Sequence, residues 1–233
     1  MSDAPVGRRV VLGMLGLGAV GVAAGSRITA AISRLMAPVE EHDPTGLSGL
    51  VPAAGGWRYY SVAGSEPLRT TRDYRLTLDG LVDRPRTYSY QDLLALPQTR
   101  LVRDFQCVTG WRVPSVPWTG VRLGTLLEAA GVRPGGRALA FTSFDGVDTE
   151  SLTLDQARRP DVLVALRMYD RPVTRAHGGP VRLYVAPMYG YKSLKWLSRI
   201  TLTAEVEPGF WEHNGYDVNA WVGHSNGRND APT

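Results

Sequence analysis

The chain has 233 residues, of which 43% are hydrophobic, and its formal net charge is +4. This length suffices for one sizeable hydrophobic core, so we expect one large domain or two small ones. Four arginines against one aspartate in residues 1–36 account for most of the net charge. The rest is close to neutral and has no basic stripe interleaved with aromatic residues, so we expect no nucleic-acid partner.

The first 36 residues resemble an export signal. Two adjacent arginines, Arg8 and Arg9, precede an uncharged run of apolar and glycine residues at positions 10–24. This run is shorter than the ~20 residues that a membrane-spanning helix needs, and small residues follow it. We predict a twin-arginine-type signal that directs the protein across the cytoplasmic membrane, to the periplasmic or extracellular face. An uncleaved amino-terminal membrane anchor is the alternative.

The remaining chain divides by composition into three parts. Residues 37–56 are rich in proline and glycine and lack periodicity, which predicts a linker. Residues 57–222 carry the strand and helix patterns of a folded domain, and residues 223–233 are expected to form a flexible tail. The aromatic and amide-rich stretch 210–221 is expected to pack back on the domain, near its functional site.

Short strands outnumber helices in the predicted domain. Alternation predicts a strand over 74–81, and β-rich runs predict further strands over 99–108, 138–143, 162–168, 181–186 and 200–203. A capping box formed by Ser89 and Asp92 begins one short helix, and Gly131 ends a second over 123–130. We therefore expect a mixed α+β fold built on several sheets, not a doubly wound parallel sheet.

Cys107 is the only cysteine, and it lies at the end of a predicted strand. A lone thiol cannot form an intramolecular disulfide, and an unpaired cysteine commonly packs as a small apolar residue. Small exported proteins often use disulfides, so a single cysteine here favours a dedicated thiolate. The sequence contains no dinucleotide-binding, Walker or EF-hand motif, and its four histidines lack zinc-ligand spacing.

The only two lysines, Lys192 and Lys195, lie three residues apart in a segment punctuated by glycine. Backbone N–H groups of such a segment can form an anion-binding nest. Arg182 lies at the start of a predicted strand just before it, and a guanidinium fork can bind phosphate bidentately. These residues predict an anion site, and a solvated surface pair is the alternative for the lysines.

Two stretches together resemble the molybdopterin-binding domain of the sulfite oxidase superfamily. The first runs through residues 105–111 and 116–121, and the second through 177–187 and 189–196. The likeness covers roughly residues 57–222 and is strongest to the small periplasmic branch, typified by the catalytic subunit of the methionine-sulfoxide reductase system. It implies a β-rich α+β fold of the sulfite oxidase type, Mo-molybdopterin as the cofactor, and Cys107 as catalytic residue and molybdenum ligand. Soft thiolates suit such an ion.

The resemblance also implies which residues bind the pterin. Arg182 and the two lysines would hold its phosphate, and Ser143 falls where the family has a threonine beside the cofactor. His177 stands where the small periplasmic branch has an asparagine, so this contact departs from the family's pattern. The full set of predicted cofactor-binding residues is Tyr60, Ser61, Ser143, His177, Arg182, Lys192, Ser193, Leu194 and Lys195.

The function implied is two-electron oxygen-atom transfer on a small substrate of sulfite or sulfoxide type. We expect a monomer that exchanges electrons with a separate partner, either a membrane haem subunit or a soluble cytochrome. The sequence does not choose between these substrates or directions. A catalytically silent pterin-fold binding or scaffold module is the alternative. Asp145 and Asp148 follow the strand that bears Ser143, where they either rim the site or turn the chain.

Overall fold

The structure, a computed structural model, describes residues 56–224. The predicted signal at 1–36, most of the linker and residues 225–233 lie outside this range. A compact unit beginning at Tyr59 contains the strands and helices given below. None of the helices described between residues 56 and 224 has the length and apolar character of a membrane span.

Five strands form the first sheet in the order β2-β1-β10-β5-β6. The pair β1 and β10 is parallel, and the other neighbours are antiparallel. Alternation along β1 places Leu76 and Leu78 in the core while Arg75 stays exposed, as expected for a half-buried strand. The strands are β1 Arg75–Gly80, β2 Arg86–Ser89, β5 Ala138–Ser143, β6 Thr149–Thr153 and β10 Leu197–Thr203.

The second sheet has the order β3-β4-β7-β8, and β9 pairs with β7 beside β8. All of its pairs are antiparallel. The strand β9 is wholly buried and β7 nearly so, which explains why both consist mainly of apolar residues. The strands are β3 Gln98–Gln106, β4 Arg112–Arg122, β7 Val162–Met168, β8 Arg171–Pro172 and β9 Arg182–Val185.

Residues 56–224 contain four short α-helices and one 3₁₀ turn at Gly190–Lys192; the first three α-helices connect strands, and the fourth follows the last strand. The predicted capping box is confirmed, because the Asp92 amide donates to Ser89 Oγ at 3.1 Å and the Ser89 amide donates to the Asp92 carboxylate at 2.8 Å. Gly131 ends the second helix with a φ of 72°. The helices are α1 Tyr90–Ala95, α2 Leu123–Ala130, α3 Leu154–Ala157 and α4 Phe210–His213.

The prediction of a mixed α+β fold is confirmed, and two predicted strands, 138–143 and 162–168, match β5 and β7 at both ends. Two boundaries matter for the site. The strand β3 ends at Gln106, so Cys107 lies in the turn beyond the strand and not on it. The long strand β4 was not predicted, since Pro114 and Pro117 lie within it and proline normally argues against a strand interior.

One apolar core takes side chains from both sheets and from α1 and α2. Phe141 on β5 lies fully buried within it. We expect Phe141→Ala to lower the free energy of unfolding by about 3–5 kcal/mol, since it removes apolar contacts and leaves a cavity. Urea unfolding measures this loss. On the surface of β3, Val102→Ala is the control and should change stability by less than about 0.5 kcal/mol; equal losses would contradict the assignment of the core.

Candidate cofactor site around Cys107 and Arg182

Cys107 lies in a tight turn directly after β3. Its amide donates to the Trp111 carbonyl at 2.9 Å, and its carbonyl accepts from the Gly110 amide at 3.0 Å. Gly110 has a φ of 97°, a conformation that residues with a side chain seldom adopt. The thiol is partly exposed, and its Sγ lies 3.2 Å from Thr109 Oγ1. The turn thus presents the sulfur at the surface of the fold instead of sealing it in the core.

The turn is packed against the segment that follows β9. A Cβ at Gly190 would overlap the Phe105 ring and lie 3.4 Å from the Gln106 carbonyl oxygen. Only glycine therefore fits where this segment meets the two residues before Cys107. The Phe105 ring stacks on Trp111 with centroids 5.7 Å apart. The two sequence stretches, far apart in the chain, meet at this contact.

Arg182 opens β9 and is buried behind Phe105. Its guanidinium carbon lies 5.7 Å from the Phe105 ring centroid and 5.3 Å from that of Trp118. The two terminal nitrogens donate to the carbonyls of His177 and Ser193, each at 2.6 Å. Burial lowers the pKa of Arg182 to about 10, so the guanidinium remains charged at neutral pH.

Lys195 is a second cation beside Arg182. Its ammonium makes one long contact, 3.4 Å to the Ala176 carbonyl, and lies 4.4 Å from the Trp196 ring centroid. Burial and the nearby Arg182 lower the pKa of Lys195 to about 8. Within residues 56–224, neither cation has a carboxylate at ion-pair distance. Arg182 is buried and Lys195 is partly buried. Since a charge withdrawn from water without a counter-ion is costly, this pair is suited to an anionic ligand.

His177 supports the cationic pair through its backbone. Its carbonyl accepts from Arg182, whereas its ring is held by Thr174 Oγ1, 2.9 Å from Nδ1, and by the Tyr59 hydroxyl, 3.3 Å from Nε2. Burial, Arg182 and Lys195 lower the pKa of His177 to about 3. The imidazole is therefore neutral at physiological pH and adds no charge to the site.

The turn between β5 and β6 brings carboxylates toward the two cations. The Ser143 amide donates to the Asp148 carbonyl at 3.0 Å, and Ser143 Oγ accepts from the Asp145 amide at 3.1 Å. Asp148 Oδ1 is buried and has no hydrogen-bond partner among the described residues. Burial and repulsion from Asp145 raise the pKa of Asp148 to about 7, against the attraction of Lys195 and Arg182.

The raised pKa of Asp148 predicts that the stability of the cofactor-free protein depends on pH. The folded state keeps a proton that the unfolded carboxyl group releases near pH 4, so stability falls as pH rises from about 4 to 7. Replacement of Asp148 by asparagine should remove the contribution of this carboxyl group to the fall in stability, no more than about 4 kcal/mol. Urea unfolding across this pH range measures it. The control Asp170→Asn, at an exposed ion pair with Arg100, should leave the fall in place; an unaltered fall in Asp148→Asn would contradict the assignment.

Lys192 does not join the cationic pair. Its ammonium donates to carboxylate oxygens of Glu150 and Glu212 and is fully buried. The expectation that it would hold phosphate therefore does not carry over to the structure, which gives this ammonium two carboxylate partners. The two lysines point to different surroundings although only three residues separate them.

The other predicted residues divide into two groups. Ser193 and Leu194 are buried and shape the segment: the Ser193 hydroxyl accepts from the Val185 amide at 3.0 Å, and the Leu194 carbonyl accepts from the Leu183 amide at 2.9 Å. By contrast, Tyr60 is 53% exposed, and Ser61 Oγ donates locally to the Ser65 carbonyl. Within residues 56–224, neither side chain is hydrogen-bonded to Arg182 or Lys195. Tyr59, the neighbour of Tyr60 that sequence reasoning missed, contacts the His177 ring instead.

The fold and this arrangement define a molybdopterin-binding oxidoreductase domain. Residues 63–211 match the oxidoreductase molybdopterin binding domain, and the chain belongs to that family. The cofactor of the family is Mo-molybdopterin. The family match, together with the relatives described next, confirms the resemblance to the sulfite oxidase superfamily.

Three curated relatives and one solved structure are similar to the chain. The oxidoreductase YuiH of Bacillus subtilis is 38% identical over 145 residues, covering 62% of this chain and 73% of the relative. The protein-methionine-sulfoxide reductase catalytic subunit MsrP of Campylobacter jejuni is 30% identical over 158 residues, 61% of this chain and 53% of the relative. Sulfite oxidase of Arabidopsis thaliana is 31% identical over 181 residues, 63% of this chain and 46% of the relative.

The crystal structure of the sulfane dehydrogenase SoxCD from Paracoccus pantotrophus superposes with a TM-score of 0.60 at 25% identity, covering 66% of this chain and 43% of the other. The chain thus spans about half the length of MsrP, and less than half of the sulfite oxidase and the SoxCD chain.

The residues present suit this cofactor. Within residues 56–224, the buried Arg182 and the partly buried Lys195 form a cationic pair without a carboxylate at ion-pair distance, which matches the anionic phosphate of the pterin. Among the described residues, no three His, Cys, Asp or Glu side chains converge as they would for a metal held by protein alone. A metal at Cys107 would therefore take its remaining donors from elsewhere, and the pterin dithiolene supplies sulfur donors.

Proposed function

We propose that this chain transfers an oxygen atom to or from a small sulfur compound of sulfite or sulfoxide type. The single observation that carries the proposal is the pair of the buried Arg182 and the partly buried Lys195, which lacks carboxylate partners among the described residues and of which Arg182 packs behind Phe105. Phe105 precedes the only cysteine by two positions. An anion site and a partly exposed thiol therefore belong to one region.

Each residue has a proposed task. Cys107 ligates molybdenum as a thiolate, and its sulfur lies 3.2 Å from Thr109 Oγ1. Arg182 and Lys195 bind the phosphate. When bound, the cofactor supplies two-electron redox and oxygen-atom chemistry. The stacked rings of Phe105 and Trp111 support the Cys107 turn from behind.

The substrate class follows from the relatives. MsrP is named for methionine sulfoxide, the plant enzyme for sulfite, and SoxCD for sulfane sulfur. All three names refer to sulfur compounds, which supports a sulfur-centred substrate for this chain. MsrP is also named a catalytic subunit, which supports a separate electron-transfer partner here, either a membrane haem subunit or a cytochrome.

We further propose the domain order and location that the sequence predicts. A twin-arginine-type signal or anchor occupies residues 1–36, a linker 37–56, the molybdopterin-binding domain 57–222 and a tail 223–233. The family match at 63–211 falls within the proposed domain. Export as a folded monomer with its cofactor inserted would place the site outside the cytoplasm.

The test is metal and pterin analysis of the full chain purified from a host that makes Mo-molybdopterin. We expect about one molybdenum and one pterin per chain, followed by turnover in either sulfite oxidation or sulfoxide reduction with artificial electron carriers. Parallel assays of both reactions separate the two substrate types. Folded protein without molybdenum or pterin would overturn the proposal, and loaded protein inactive in both assays would overturn the substrate class.

A further inference from the structure

A buried ion triad lies next to the proposed phosphate site. Lys192 donates to Glu150, and to Glu212 Oε1 at 2.6 Å. The side chains of Lys192 and Glu150 are 0% exposed and that of Glu212 is 2% exposed. The three residues come from three different elements: β6, the 3₁₀ turn Gly190–Lys192 and helix α4.

The charges of the triad balance only if one carboxyl group keeps its proton. Two carboxylates and one ammonium would leave one buried negative charge, which is costly. Burial, opposed by Lys192 and aided by Glu212, raises the pKa of Glu150 well above its usual range. A sealed triad of this kind contributes little net stability because desolvation offsets the attraction. It does, however, fix the relative positions of the elements that supply its members.

On one side, the triad holds the segment that forms the phosphate site. Lys192 is followed by Ser193, whose carbonyl accepts from Arg182 at 2.6 Å and whose hydroxyl accepts from Val185. Lys195 lies three residues further along. Displacement of Lys192 would therefore move the carbonyl that orients Arg182 and the backbone that carries Lys195.

On the other side, the triad holds the carboxyl-terminal segment. Glu212 Oε2 accepts from the Gly209 amide at 3.0 Å, and a Cβ at Gly209 would overlap the backbone of β6. The same segment returns along residues 188–191: the Tyr189 amide donates to the Ala220 carbonyl at 2.9 Å, and the Tyr191 hydroxyl donates to the Asp217 carbonyl at 2.7 Å.

Four aromatic side chains add to the contacts between the carboxyl-terminal segment and residues 188–191. Tyr191 meets Tyr216 edge-on at 5.3 Å, Tyr216 meets Trp211 at 5.3 Å, and Trp211 meets Phe210 at 5.4 Å. Such edge-to-face pairs are directional. Tyr191 directly precedes Lys192, and Trp211 directly precedes Glu212. The aromatic and ionic contacts therefore join the same two segments.

We propose that Lys192, Glu150 and Glu212 are positioning residues whose triad couples the carboxyl-terminal segment 209–222 to the cofactor-binding segment 189–195. This inference rests on the proposed function in that the second segment is taken to bind the pterin phosphate. The triad does not touch the phosphate. It fixes the Ser193 carbonyl and, through it, the orientation of Arg182.

The test compares Glu212→Leu with Glu212→Gln in the molybdenum-loaded full chain. Leucine removes both hydrogen bonds of the carboxylate and leaves Lys192 paired with Glu150, so the charges stay balanced. We expect faster hydrogen exchange in 209–222 and also in 189–195, together with cofactor release at least about tenfold faster, the effect of weakening one charge-assisted hydrogen bond. Glutamine keeps one acceptor oxygen for Lys192 but loses the hydrogen bond from the Gly209 amide, so its exchange and release rates should lie between those of the wild type and of Glu212→Leu.

Arg100→Leu, which breaks an exposed ion pair on β3, is the matched control and should alter neither exchange in 189–195 nor cofactor release. The inference is overturned if Glu212→Leu speeds exchange only in 209–222 and releases the cofactor at the wild-type rate. If Glu212→Leu does not fold, Glu212→Ala is measured in its place against the same criteria. Wild-type protein that binds no cofactor would overturn the proposed function, whereas its exchange pattern still tests the coupling of the two segments.

Discussion

Cys107→Ser is expected to abolish molybdenum-dependent turnover while leaving the fold intact. Serine keeps the size and turn geometry of the site, but its hydroxyl is not ionised at neutral pH and cannot replace the thiolate donor. Because the thiol is partly exposed and lies outside the core, the cofactor-free variant should unfold within about 0.5 kcal/mol of the wild type. The loss of turnover should exceed the about 10–100-fold that loss of an outer-shell partner of a metal costs.

Molybdenum content and the spectrum of the loaded protein measure the effect directly. Thr109→Val is the matched comparison in the same turn: it removes the hydroxyl 3.2 Å from the sulfur but keeps the thiolate, so metal content should stay near one per chain. Full activity in Cys107→Ser would exclude the thiol as a molybdenum ligand. Equal losses of molybdenum and turnover in both variants would mean that the conformation of the turn, and not the sulfur, is required for metal binding.

Local sequence patterns were sufficient to predict much of the fold. The capping box at Ser89 and the glycine that ends α2 depend on residues at most four apart, and both are confirmed. The strand β4 could not be found in this way, because two prolines interrupt its pattern. In the fold, its pairing with β3 shifts register between Arg103 and Phe105, and Ser115 adopts a φ of 53°. Such irregularities accommodate proline within a strand.

The partners of Lys192 show why part of the site escaped prediction. Glu150 and Glu212 lie 42 and 20 residues away along the chain, so no local spacing links them to the lysine. The proximity of the two lysines suggested a shared ligand. The 3₁₀ turn ending at Lys192 directs its side chain into the triad, while Lys195 lies beyond it beside Arg182. Motif resemblance pointed to the segment, but only tertiary packing separates the surroundings of its two lysines.

The same limit applies at the amino-terminal side of the domain. Sequence comparison pointed to Tyr60 and Ser61, whereas the structure brings Tyr59 to the His177 ring with centroids 4.8 Å apart. In extended chain, successive side chains point in opposite directions, so a shift of one position exchanges the partly buried contact of Tyr59 for the exposed side chain of Tyr60. The direction of a side chain here depends on packing against His177, which no local pattern encodes.

Lys195→Met should move cofactor affinity and protein stability in opposite directions. The wild-type Lys195 is partly buried and has no carboxylate at ion-pair distance among the described residues; burial and the nearby Arg182 lower its pKa to about 8. Holding it charged at pH 7 therefore destabilises the cofactor-free fold, by about 1–3 kcal/mol. Methionine fills similar space without charge, so cofactor-free Lys195→Met should be more stable than the wild type by that amount.

The affinity for the cofactor should fall at the same time. Loss of one charge-assisted hydrogen bond to phosphate corresponds to about 10–100-fold weaker retention of the pterin. Arg199→Met on β10, which breaks an exposed ion pair with Asp79, is the control and should change neither property by more than about 0.5 kcal/mol. Urea unfolding of cofactor-free protein and the rate of pterin release from loaded protein measure the two effects. A lysine that serves only the fold would lose stability on replacement. A less stable Lys195→Met with unchanged pterin retention would therefore contradict the anion site.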